Sequence, residues 1–177
     1  MKTKTMAWAF MDGISISVHA DITPTDEEWD SHIGQCVNQL REERLRGGFV
    51  MSEGRGGPDV RQRKILADYP DLHALPVAVI TRSKIIKGIV TALRWFGSDI
   101  RAFSPYEIAL AFKYLEVTPA EHAKIRKTIA NLRRELLSSE SLGEVPPDIG
   151  DEYILSTSFP DIQERMEEVK RQLRREE

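Results

Sequence analysis

Residues 75–115 read LPVAVITRSKIIKGIVTALRWFGSDIRAFSPYEIALAFKYL, and this stretch decides the fold. Its first part, PVAVI at 76–80, is a short continuous apolar run, the pattern of a strand covered on both faces. Ser83 stands at a helix N-cap, and Ile85, Ile86, Ile89, Val90, Leu93 and Phe96 then recur at helical spacing until Gly97. DIRAF at 99–103 is a second short strand. Ser104, Pro105 and Glu107 open another helix with a capping serine, a proline in the first turn and a glutamate three residues after the cap. Two strands joined through a helix pair in parallel with a right-handed crossover.

Working outward, the N-terminal side supplies the rest of a sheet. Asp12-Gly13 lies between two apolar runs, a hairpin signal. In the second run Ile14, Ile16 and Val18 alternate with Ser15, Ser17 and His19, which predicts a strand with one dry and one wet face at or near a sheet edge. Thr25 to Glu28 forms a capping box, and Trp29, Ile33, Cys36, Val37 and Leu40 mark the buried stripe of a helix whose charged last turn is expected over 41–46, with Gly47-Gly48 ending it. Cys36 lies on that stripe and reads as a core thiol. A third strand, GFVMS, runs into the glycine-rich segment 53–59 (EGRGGPD) and a helix over about 58–68. The whole predicts an α/β fold: an N-terminal hairpin, then alternating helices and strands in a mostly parallel five-stranded sheet over residues 1–117.

From Thr118 the character changes. Ile125, Ile129, Leu132 and Leu136 form a narrow stripe on a highly charged helix. Residues 138–159 read as a Pro/Gly linker, and a last helix from about 160 carries Ile162, Met166, Val169 and Leu173. Residues 118–177 are thus expected as a helical extension, its stripes pairing with each other, with the main domain, or with a second copy in a homo-oligomer.

Composition bounds the function. A formal net charge of −3 over 177 residues makes no basic field for nucleic acid. The basic runs near 124–134 and 170–175 are interleaved with glutamate or followed by it, as solvated helix faces are. One cysteine permits no internal disulfide, and the four histidines lack metal-site spacing. The sequence shows no secretory signal and no run of about 20 apolar residues, so a cytoplasmic protein is expected, without membrane contact, cofactor or metal.

The segments VMSEGRGGPDVRQRKIL (50–66), LPVAVITRSKIIKGIVTALRWFG (75–97) and IRAFSPYEIALAFKYL (100–115) resemble STAS domains, the fold of the bacterial anti-sigma-factor antagonists. The nearest resemblance is to a STAS-like group of uncharacterised bacterial proteins found often in myxobacteria. The resemblance spans residues 7–117. It implies a regulatory protein-interaction module, and in such antagonists a Ser or Thr after the third strand, at the start of the second helix, is phosphorylated. Here Ser52 is the hydroxyl of that loop, but it falls at the strand end, while Pro58 and Asp59 hold the helix start.

The site expectations follow. Ser52, Glu53, Gly54, Arg55, Gly56, Gly57, Asp59 and Arg61 are expected to form a loop that contacts a protein partner or an anion, with Ser52 as a phosphosite. Arg82, Ser83 and Trp95 are secondary candidates. No catalytic set of nucleophile and base is evident. The leading expectation is a non-enzymatic interaction module. The other is a small-molecule or anion (nucleotide or phosphate) binding protein, or an enzyme, using the 54–57 turn.

Overall fold

The computed structural model describes residues 4–54, 56–95 and 97–139. The expected linker after residue 139 and the last helix from 160 lie outside the described residues, as do Arg55 and Phe96.

A five-stranded mixed sheet carries the fold, in the order β1 (Met6–Met11), β2 (Ile14–His19), β3 (Gly47–Ser52), β4 (Val77–Thr81), β5 (Ile100–Phe103). β1 and β2 are antiparallel, and every later neighbour is parallel. The hairpin turn has positive φ at both Asp12 (49°) and Gly13 (81°), the type I′ geometry whose twist matches that of the strands. Between the parallel strands lie α1 (Asp26–Arg41), α2 (Val60–Ala67) with the single turn α3 (Pro70–His73), and α4 (Lys84–Trp95). A short 3-10 turn (Pro105–Glu107), α5 (Ile108–Tyr114) and α6 (Pro119–Ser139) follow β5.

Strands laid side by side in chain order, joined by crossovers of one hand, put every crossover helix on the same face. Accordingly α1 to α4 roof the face made by Ser15, Ser17, Val50, Val77, Val79, Ile100 and Ala102. The other face carries Ile14, Ile16, Val18, Phe49, Ala78 and Ile80, all buried. It is covered by α5, whose Phe112 ring lies 5.6 Å from that of Phe49, and by α6, which packs on β1 and β2. Ile125, Ile129, Leu132 and Leu136, the stripe read from the sequence, are all buried. The compact unit expected to close at residue 117 therefore continues through α6, and that stripe leaves no apolar face for a second copy.

Two expectations are corrected here. The charged segment 41–46 is not the last turn of α1, which ends at Arg41. The chain reverses through Glu43 at φ 54°, and Gly47-Gly48 belongs to β3. Gly47 is needed there for space, because a Cβ would come to 3.0 Å from the Pro76 carbonyl oxygen. Arg46, freed from the helix, ties three segments together: its guanidinium donates to the carbonyls of Asp12 (3.1 Å) and Leu115 (3.1 Å) and pairs with Glu121 (3.0 Å). The second correction concerns β2, which has no wet face. It is near the edge as expected, second of the five strands, but Ser15, Ser17 and His19 are buried beneath α1.

Candidate functional site

The loop after β3 is braced from within. Ser52 is buried, and its hydroxyl donates to the Gly56 carbonyl (2.9 Å), with the Gly54 carbonyl (3.3 Å) as a second acceptor sharing the same proton. The proposed phosphosite thus holds the loop closed from the inside. Gly54 and Gly56 face the segment after β2: a Cβ on Gly56 would stand 1.9 Å from the Ala20 carbonyl oxygen, and one on Gly54 would meet the Asp21 carboxylate. Close backbone approach, not an anion cradle, explains Gly56.

The described charges of the loop are engaged as well. Glu53 makes a two-pronged contact with Arg133 of α6 (2.6 and 3.1 Å). Arg61 pairs with Asp26 at the start of α1. Asp59 caps α2, accepting from the Gln62 amide (2.8 Å) while the Gln62 side chain accepts from the Asp59 amide (3.1 Å). A helix N-terminus attracts an anion through its free N–H groups and dipole. Here the chain's own carboxylate fills that place. Gln62, which the sequence reading passed over, is fully buried and also donates to the Pro24 carbonyl (2.8 Å) and Asp26 (3.1 Å). The D-x-x-Q spacing of 59–62 is the capping-box signal that marks it.

Ser52 and Thr81 are paired across β3 and β4, so the Ser52 loop and the Arg82-Ser83 turn share the carboxyl edge of the sheet. Ser83 is a cap, accepting from the Ile86 amide (3.3 Å), and Arg82 is exposed. Trp95 is not part of that edge. It stands at the far end of α4, about 18 Å along a helix of this length, with 82% of its surface exposed. Exposed aliphatic residues stand among these charges: Val60, 75% exposed as the first residue of α2, Ile85 on α4 and Ile22 before α1.

The structure also holds a site that the sequence reading missed. A cavity of about 220 Å³ lies between the sheet and the roof of α1 to α4. Its cause is local: the middle of the sheet under the roof is built from Ser15, Ser17, Gly48 and Ser52, where large aliphatic side chains would fill the space. One wall, from β2 and α1, is polar and carries Ser15, Ser17, His19, His32 and Cys36. The opposite wall, from β3 to β5 and α4, is aliphatic and includes Val50, Val79, Ile86, Ile89, Val90 and Ile100. Gly56, Gly57 and Pro58 of the braced loop close one end.

On the polar wall Ser15 Oγ is 2.9 Å from His32 Nε2, and Cys36 Sγ donates to Ser15 Oγ at 3.6 Å. Ser17 Oγ lies 3.4 Å from His19 Nε2. Burial pushes His19 down to about 4, and burial with the neighbouring His19 pushes His32 down to about 3, so both imidazoles are neutral at pH 7. Burial pushes the Cys36 thiol up to about 11, so it carries no thiolate. A serine beside an imidazole is the minimal nucleophile–base pair. Here the imidazole is too weak a base to activate the hydroxyl, and His32 Nδ1, where an orienting carboxylate would sit, has no partner among the described residues. Compared with protein-family models, curated proteins and solved structures, the chain matches none.

Proposed function

We propose that the chain is a non-enzymatic regulatory module of STAS-like type, which contacts a protein partner through the loop after β3 and the start of α2. The sheet order, with one antiparallel hairpin strand followed by parallel strands in chain order, supports the fold assignment. The exposure of Val60 carries the functional one. A valine left 75% exposed at the head of a helix, with Ile85 and Ile22 exposed on elements that flank the loop, supplies apolar surface for a partner. Of the charged residues first expected to make the contact, Glu53, Asp59 and Arg61 are engaged within the chain. Recognition therefore rests on the aliphatic side chains, with Glu53, Asp59 and Arg61 holding them in place. Such a preformed surface binds without paying for loop ordering.

The test is affinity capture from source cells with the full chain as bait, repeated with Val60→Asp and Ile85→Asp. Asp is acceptable in the first turn of a helix, so neither variant should lose its fold. The expected result is a partner held by the wild type and lost by at least tenfold in both variants. A partner held equally by all three overturns this surface.

A further inference from the structure

We propose that the cavity under α1 to α4 is a binding site for an uncharged, largely apolar small molecule that carries one hydroxyl group, of about the size of a fused bicyclic ring. This inference does not depend on the partner-binding reading.

Size comes first. A cavity of about 150 Å³ lined by aliphatic and aromatic side chains takes up benzene, and the space here is about 220 Å³. Something one ring larger fits. Chemistry comes from the two walls. The aliphatic wall selects an apolar body. The polar wall selects a group that both donates and accepts, because Ser15 and Ser17 do both and a neutral imidazole has one nitrogen of each kind. A hydroxyl matches that wall whichever nitrogen of His32 carries the proton. His32 is buried on this wall, its Nε2 meets Ser15, and its Nδ1 is left without a partner among the described residues. A buried polar atom left so is unfavourable in a finished core.

The void itself is the second argument. Ser15, Ser17, Gly48 and Ser52 hold open the middle of a sheet face that four helices cover. A core that served stability alone would close such a space, since each missing methylene there destabilises the fold. A carboxylate or phosphate is disfavoured on the polar wall, because both its imidazoles are neutral, the α2 N-terminus is capped by Asp59, and Arg63, the guanidinium among the lining residues, already donates to the Pro58 carbonyl.

The probes are 2-naphthol and, as its anionic counterpart, 2-naphthoate, titrated into the full chain at pH 7.5. The chain is labelled with ¹³C,¹⁵N-histidine and ¹⁵N-tryptophan. The expected result is saturable binding of one 2-naphthol per chain, with shifts at the His32 ring and the Trp29 indole and none at Trp95. 2-Naphthoate should bind at least tenfold more weakly. Val79→Phe, which extends the aliphatic wall into the space, should abolish the shifts. Ser17→Val, a smaller change that removes one hydroxyl, should weaken binding about tenfold and serves where Val79→Phe does not fold. No shift at His32 up to the solubility of 2-naphthol overturns the site. So does binding that both variants leave unchanged, or shifts confined to Trp95. Equal binding of 2-naphthoate overturns the assigned class.

Discussion

At Gly56 there is no room for a side chain, since a Cβ would fall 1.9 Å from the oxygen of Ala20 and within 2.7 Å of the Ile22 backbone. These are backbone atoms, and the Ala20 amide is tied to the Thr5 carbonyl (2.9 Å), so they do not give way as a flexible side chain would. Gly56→Ala is expected to lower stability by about 3 kcal/mol, measured by urea denaturation. Gly34→Ala is the control, because nothing lies within 4 Å of its added methyl. A Gly56→Ala variant as stable as the wild type would show that the loop can leave the Ala20–Ile22 segment at little cost. The glycine-rich composition of 53–59 was visible in the sequence, but its cause was not. Close approach between segments more than thirty residues apart leaves no local signal. The capping roles of Ser83 and Ser104 were legible because a cap acts on its own next turn. Ser15, Ser17 and His19 misled for a related reason. Alternation reports which residues share a face, not whether a helix later covers it.

Helix α6 shows how far periodicity reaches at the scale of an element. The spacing of Ile125, Ile129, Leu132 and Leu136 identified the helix and its apolar stripe, but not what the stripe meets. It meets the sheet. Around it, Lys124 reaches Asp12 of the hairpin (3.0 Å), Arg133 reaches Glu53, and Lys4 reaches Glu135, so charged residues of this helix brace its docking. Ile129 is fully buried, and Ile129→Ala should lower stability by about 3 kcal/mol, within the range for aliphatic truncations in a core. A chain ending at Val117 would leave Ile14, Ile16 and Val18 uncovered and should show no cooperative thermal transition by circular dichroism. A sharp transition in that truncated chain would mean that α6 is an accessory.

For the molecule as a whole, the buried polar wall sets a response to acid. His19 and His32 have folded pKa values of about 4 and about 3, below the unfolded value of 6.5. The unfolded chain therefore takes up protons that the native state refuses, and stability falls as pH drops below 6.5 toward the folded values. At pH 5 each histidine should cost about 2 kcal/mol relative to neutral pH. Glu28, whose hydrogen bonds with Thr5 and Thr25 outweigh its burial and hold its carboxyl below the usual range, adds its loss only at lower pH. Urea midpoints at pH 7 and pH 5 test this, with His32→Phe expected to remove about half of the difference. A variant whose pH profile matches the wild type would disprove the assignment. Order along the chain has a further effect, on synthesis. Residues 26–95 supply the roof of one sheet face, but the other face is covered by α5 and α6, which the ribosome makes after all five strands. At about 5–20 residues per second, several seconds separate the emergence of β2 from that of Leu136. During that interval Ile14, Ile16, Val18 and Phe49 lack the cover that α5 and α6 give them in the finished fold, so half of the core waits on the chain beyond β5.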